Sequence, residues 1–345
     1  MNIEDRLASR LAGATVAVTG GFGLVGSRIV HKLRALGAHP VAVGKLDAYE
    51  PQVCSSLFGI SPTDGDVIAG DITDAALIDH VISHSDYVIH AAALADVAGC
   101  TRNPTAALHN NVTGTQTVLA AAARHAHSVK RLCFVSSASV YGHGGGAEAP
   151  AQFAEDDPLR PVSVYANTKV WGEHQTALTV GEAGGSYAVV RYFSVYGQPQ
   201  TIKRGSHSWV AAWMAIHAHL GLPLHLNGGG HQVRDFVHVD DIADATLLAT
   251  VEPRAHRATV NVGTGRATSI KTISELVLKY YPGVPVIETP MPPGDPMGGR
   301  ADITRMKDLL GWEPAISVEE GVRRYVAWLR TTPGAVPGWL LAESA

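Results

Sequence analysis

The segment that most limits how this chain can fold is Thr19-Gly-Gly-Phe-Gly-Leu-Val-Gly26. Residues 14–18 before it (Ala-Thr-Val-Ala-Val) read as a buried strand. After it, Leu24, Val25, Ile29, Leu33 and Leu36 recur at helical spacing, which predicts a helix over roughly 23–36 with Gly37 as its C-cap. A strand that passes through a glycine turn into a helix presents backbone N–H groups at the helix N-terminus. The spacing Gly21-x-Gly23-x-x-Gly26, with Gly20 adding an overlapping one, suits close approach of a dinucleotide pyrophosphate. The spacing alone is weak; its place between strand and helix makes it specific.

Further strands are predicted at Val41–Val43, Asp66–Ala69, Tyr87–His90, Arg131–Ser136 and Tyr187–Arg191, with helices over about 105–125 and from Tyr165 to about Leu178. Strands alternating with helices imply an α/β fold, a Rossmann-type doubly wound parallel sheet. Beyond this the pattern is less regular. Residues 198–232 and 264–330 are rich in Gly and Pro, while a helix from Asp240 and a strand at Thr259–Val262 return to the main sheet. A smaller C-terminal domain built from two separated segments is therefore expected. The loop Gly142–Ala147 follows a serine-bearing strand end and is placed to cover a site.

Composition excludes some classes of function. A formal net charge of −4 and a pI near 6.5 give no reason to expect nucleic acid or an anionic membrane. No apolar run reaches the length of a membrane span, and the charged N-terminus lacks a signal core. Cys54, Cys100 and Cys133 have no metal-like spacing and fit reduced thiols in a cytoplasmic protein. His207, His217, His219, His225, His231 and His238 cluster in sequence, without HExxH or a paired carboxylate, so no metal is expected. Asp240-Asp241 reads as acids at a helix N-terminus.

Three residues suggest chemistry. Tyr165 and Lys169 are four apart, hence on one helix face. The lysine is expected to lower the tyrosine pKa from near ~10 toward neutrality. Ser137, at the strand end, can hydrogen-bond the same substrate oxygen. Such a set moves a proton off a carbinol while a hydride leaves its carbon. The end of the second strand lacks the acid that would read a ribose 2′-hydroxyl. Gly44 stands there, followed by Lys45, with Asp47 further on. Either Asp47 or backbone groups serve the ribose of NAD, or Lys45 meets the 2′-phosphate of NADP. An aspartate installed at position 44 is expected to preserve or tighten NAD⁺ binding and reject NADP⁺.

With these residues in view, the chain resembles the extended short-chain dehydrogenase/reductase family, specifically its nucleotide-sugar epimerases and dehydratases. The resemblance rests on the glycine turn, Gly70-Asp-Ile72, His90-Ala-Ala-Ala93, Asn111-Val-Thr-Gly-Thr115, Ser136-Ser-Ala-Ser-Val-Tyr-Gly142, Tyr165-Ala-Asn-Thr-Lys169, Arg191-Tyr-Phe-Ser-Val-Tyr-Gly197, Arg234-Asp-Phe-Val-His-Val-Asp-Asp241 and Leu310-Gly-Trp-Glu-Pro314. It implies Tyr165 as general base, Lys169 as the group that tunes it and holds the nicotinamide ribose, and Ser137 on the sugar oxygen. It implies a cofactor site of Gly20, Phe22, Gly23, Leu24, Val25, Gly26, Gly44, Lys45, Asp71, Ile72, Ala91, Ala92, Ala93, Asn111, Tyr165, Lys169 and Tyr192. Asp71 and Ile72 would flank the adenine. The substrate would meet Ser137, Ser139, Ser194, Arg234 and Arg300. Ser194 stands where the family usually has Asn. The implied division is 1–197 with 233–263 for the dinucleotide, 198–232 with 264–330 for the nucleotide sugar, and a tail over 331–345. Relatives commonly form homodimers.

After Ser137 the related 4,6-dehydratases carry an Asp-Glu pair and the related decarboxylases a Glu; this chain has Ala138-Ser139. Leu46–Pro51 resembles a loop of UDP-glucuronate 4-epimerases, and Asp295-Pro, Asp302–Thr304 and Leu310–Pro314 resemble the tail of glucuronate decarboxylases. The leading expectation is an NAD-dependent 4-epimerase of an NDP-sugar, a UDP-hexose or UDP-hexuronate. The rivals are an NADPH-dependent 4-ketosugar reductase, a dehydratase or decarboxylase, and a non-catalytic dinucleotide sensor, against which the Ser137/Tyr165/Lys169 set argues.

Overall fold

A computed structural model of the chain describes residues 2–46, 49, 51–204, 208–292 and 296–344. Asp47, His207 and Asp295 lie outside the described residues. Seven strands form one parallel sheet: β1 Thr15–Thr19, β2 His39–Gly44, β3 Val67–Ala69, β4 Tyr87–His90, β5 Arg131–Ser137, β6 Tyr187–Tyr192 and β7 Ala258–Val262. Their order is β3-β2-β1-β4-β5-β6-β7. The strand order reverses at β1/β4, and in such sheets ligands bind in the crevice beyond the carboxyl ends of the strands there. Pro40 sits in β2 without cost to the ladder. His39 N–H bonds to Ala14 on the β1 side, and β3 begins to pair only opposite Ala42.

The central strands are rich in apolar residues because both of their faces are covered. On one face Ile29, Leu33, Ile242, Leu247 and Leu248, from helices Leu24–Ala35 and Val239–Val251, pack with Val16, Val18 and Val190. On the other, Ile78, Ile82, Val118 and Leu119 meet Ala17, Val88 and Phe134. A third cluster joins Ala212, Ile216, Leu224, Ile273, Val322 and Val326 from the C-terminal half. Ala335 and Leu340 are buried in it as well, so the segment expected as a tail packs on this core.

The helix expected over 105–125 forms, and it is widened in its middle. Pro104 opens a short helix Pro104–Leu108 capped by Asn103, which accepts a bond from Ala106 N–H. A wide π turn, His109–Gly114, follows before the regular helix Thr115–Arg124 resumes. The extra residue rotates Asn111 into the interior, a distortion typical of functional sites.

Candidate active site

The glycine turn forms as expected. Gly20 has φ +76°, and a β-carbon there would stand 2.7 Å from Ala92 N, in the loop after β4. A β-carbon on Gly26 would overlap the Gly20 carbonyl, so the turn and helix close tightly. Gly23, the N-cap of Leu24–Ala35, supplies no capping side chain. The cradle thus formed by 20–26 and 91–93, at the switch point and a helix N-terminus, fits a dinucleotide pyrophosphate. Leu24, Val25 and Ala91 to Ala93 are half-buried along it.

The missing acid at β2 has a steric cause. A β-carbon on Gly44 would overlap the ring of Phe22, which is buried and fills that space. Lys45, weighed as a ligand of a 2′-phosphate, is paired within the chain: its ammonium lies 2.5 Å from the Asp71 carboxylate. Asp71 accepts from Thr73 N–H too, and these bonds, working against burial, hold its carboxyl below the usual range. Ile72 is buried against Gly114, at the end of the π turn. Asn111 accepts from Leu94 N–H at 2.8 Å and donates to Leu94 O and Thr168 Oγ1. It therefore ties the loop after β4 to the helix bearing Tyr165.

That helix, Val164–Thr176, starts at Ser163, whose hydroxyl accepts from Ala166 N–H. Tyr165, Lys169 and Glu173 follow at four-residue steps on the face toward β5. Gly172 allows the approach, since a β-carbon there would meet the Phe134 ring. Lys169 Nζ donates to Val135 O at 2.8 Å and lies 5.8 Å from the centre of the Tyr165 ring. Ser137 accepts from Ser139 N–H at the start of the short turn Ala138–Tyr141.

The electrostatics correct one expectation. Burial pushes the Tyr165 phenol up to about 12, and the hydrogen bond with Ser137 only partly opposes it. Burial likewise pushes Lys169 down to about 8, while Glu173 pulls it back up. In this structure desolvation outweighs any lowering of the phenol by the lysine, whose ammonium is bonded to a backbone carbonyl. Tyr192, expected at the cofactor, has its hydroxyl engaged elsewhere. Its hydroxyl is 2.6 Å from Thr246 Oγ1 on the Val239–Val251 helix, inside the core, so it offers no donor to a cofactor.

On the substrate side, Asp235 is the organising residue that sequence reading missed. It accepts from Thr264 N–H and Oγ1–H, Gly265 N–H and Ala301 N–H. This knot brings together the segments carrying Arg234 and Arg300. Arg234 donates to Val233 O and Pro296 O, and Arg300 to Gly265 O. Ser194 is half-buried beside them, its strand Ser194–Tyr196 paired with Phe236–His238 and its N–H bonded to Asp235 O. The Ser139 hydroxyl is buried and has no hydrogen-bond partner among the described residues. The loop Gly142–Ala147 reaches from the serine turn to the C-terminal half, where Ala147 N–H bonds to His231 O. Among the described residues no group of three or more His, Cys, Asp or Glu is placed to hold a metal ion, and no helix is long and apolar enough to cross a membrane.

Two other residues gave no clear signal in the sequence. His90 is buried between Thr19 Oγ1 at 2.7 Å and Thr115 Oγ1 at 2.9 Å, and burial pushes its pKa down to about 3. Glu173 is buried beneath Lys169; its only signal was the repeated four-residue step.

Comparison with known proteins places the chain in a family. Residues 16–263 match the NAD dependent epimerase/dehydratase family. The chain is 30% identical to a UDP-glucose 4-epimerase of Azospirillum brasilense over 94% of both chains. It is also 30% identical to a dTDP-glucose 4,6-dehydratase of Mycolicibacterium smegmatis, over 91% of this chain and 92% of the other. Among solved structures, the UDP-glucose 4-epimerase of Thermotoga maritima with UDP-glucose superposes with a TM-score of 0.82 at 30% identity, covering 92% of this chain and 99% of that one. The UDP-glucose 4-epimerase of Thermus thermophilus in complex with NAD gives a TM-score of 0.80 at 27% identity, covering 92% and 100%.

Proposed function

Because the chain belongs to the NAD dependent epimerase/dehydratase family, we propose that it is a 4-epimerase of a UDP-hexose or UDP-hexuronate, working through a transient 4-keto sugar. The observation that carries this reading is the serine turn. Ser137 faces Tyr165, and the next two side chains are Ala138 and Ser139, with no acid to protonate a leaving hydroxyl. Tyr165 takes the proton of the 4-hydroxyl and returns it to the same oxygen. Ser137 holds that oxygen, and Lys169 supplies positive charge beside it. NAD⁺, when bound in the cradle of residues 20–26 and 91–93, supplies the hydride acceptor. Arg234 and Arg300 meet the diphosphate with forked donors, and Ser139 and Ser194 meet the sugar. Residues 198–232 with 264–330 form the part that grips the nucleotide, so the sugar ring turns while tethered.

The same reading makes the protein a cytoplasmic homodimer. A groove of about 440 Å³ lies between the Thr115–Arg124 and Tyr165 helices, lined by Val112, Ala120, Ala121 and Trp171. A second copy of the chain would cover it.

The test is to supply UDP-glucose and UDP-glucuronate separately and identify the products. A C4 epimer of unchanged mass, without net change in nicotinamide absorbance, is expected. A product lighter by water or carbon dioxide overturns the reading in favour of a dehydratase or decarboxylase. Stoichiometric consumption of NADPH with a 4-keto sugar favours the reductase.

A further inference from the structure

Beneath the Tyr165 helix lies a buried ion pair that the proposed reaction does not use. Arg191 Nε donates to Glu173 Oε1 at 2.9 Å and its Nη2 to Glu173 Oε2 at 2.6 Å, both side chains being 5% exposed. Ser136 Oγ donates to the same carboxylate at 2.5 Å. Arg191 Nη1 donates to Tyr141 Oη and Glu155 O, and Tyr141 donates on to Asn261. The pair thus belongs to a fixed network spanning β5, β6, β7, the serine turn and the Tyr165 helix.

A buried ion pair is not justified by stability, since a packed apolar substitute does as well or better. Its position gives another reason. Glu173 is one helical turn beyond Lys169, on the same face, and Ser136 and Val135, which contact Glu173 and Lys169 respectively, are consecutive in β5. Arg191 stands behind Glu173, farther along the network. The titratable groups acting on Lys169 are Tyr165 and Glu173 on its own helix, Cys100 from the Val97–Arg102 helix and His90 from β4. Of these four, Glu173 alone is a carboxylate. Cys100 is a buried thiol whose burial favours the neutral form, and His90 is neutral.

We infer that Glu173 and Arg191 are positioning residues that set the charge of Lys169: the carboxylate holds the lysine protonated, and the guanidinium limits how strongly it does so. The inference rests on the reading of Tyr165 and Lys169 given above. It makes the alkaline limit of turnover a property of residues that touch neither substrate nor cofactor.

The experiment is to titrate Lys169 directly, by the side-chain carbon resonance of lysine-labelled protein, assigned by its loss in Lys169→Arg. Glu173→Gln removes the neighbouring anion, and the lysine should deprotonate at lower pH by about 1 unit or more. Arg191→Gln leaves the anion less neutralised, and the lysine should deprotonate at higher pH. The alkaline limb of kcat/KM should move in the same two directions. A packing defect would not move the two variants oppositely. Titration unchanged in both variants, or displaced the same way in both, overturns the inference. If one variant does not fold, the direction in the other decides. The resonance is read without turnover, so a wild type that yields no C4 epimer defeats the proposed activity and leaves this coupling intact.

Discussion

Lys45 is paired with Asp71 across the carboxyl ends of β2 and β3, ammonium to carboxylate at 2.5 Å. The pair leaves little net charge at the carboxyl end of β2, where the sequence pattern expects a ribose contact. In direct titration the wild type should bind NAD⁺ more tightly than NADP⁺. Asp71→Asn frees Lys45, and the ratio should move toward NADP⁺ by about fivefold, near 1 kcal/mol, the scale of one half-exposed ion contact. An unchanged ratio would show that Lys45 plays no part in selecting the cofactor. Gly44→Asp should weaken NAD⁺ binding, because its β-carbon displaces the Phe22 ring. The structure reverses the expectation from strand register alone.

Tyr165→Phe keeps the ring and removes the hydroxyl. Epimerisation should fall by at least ~10²-fold, the scale of general acid–base catalysis, with NAD⁺ affinity retained. Near-normal turnover would rule out the phenol as the base.

Ser139→Ala separates stability from recognition. The hydroxyl is buried without a partner among the described residues, so its removal should leave the melting temperature unchanged or raise it. If the sugar supplies the missing partner, kcat/KM falls by about fivefold to thirtyfold, the scale of one hydrogen bond. Unchanged kcat/KM removes Ser139 from the substrate site.

His90 makes the fold acid-sensitive. Its pKa is about 3 in the folded chain and near 6.5 unfolded. Between these values the unfolded chain binds the extra proton, so stability is full above about pH 6.5 and lost as pH falls toward 3, by up to about 1.4 kcal/mol per pH unit. Denaturant midpoints measured from pH 7 to 5 should show this slope, and His90→Gln should flatten it. A slope equal in both proteins would place the acid sensitivity elsewhere.

Much of the architecture was legible because it depends on local pattern. The apolar runs at Val16–Val18, Val88–Ile89 and Leu132–Val135 are strands buried on both faces, and the 3.6-residue period marked the Leu24–Ala35 helix. The helix start at Pro104 was readable in principle. The π turn at His109–Gly114 was not, because it is stabilised by Asn111 reaching Leu94 and Thr168, which are distant in sequence. Asp235 was hidden for the same reason: its four donors come from residues 264, 265 and 301.

The sequence by itself determined the order of strands and helices, the glycine cradle and the helix face shared by Tyr165 and Lys169, since each follows from spacing and backbone preference over a few residues. Only the tertiary structure decided the charges. Whether Lys45 is paired, whether Tyr165 is acidified and which carboxylate acts on Lys169 all depend on burial and on partners from other strands. Desolvation and Coulomb interactions act through space, and spacing along the chain carries no measure of them.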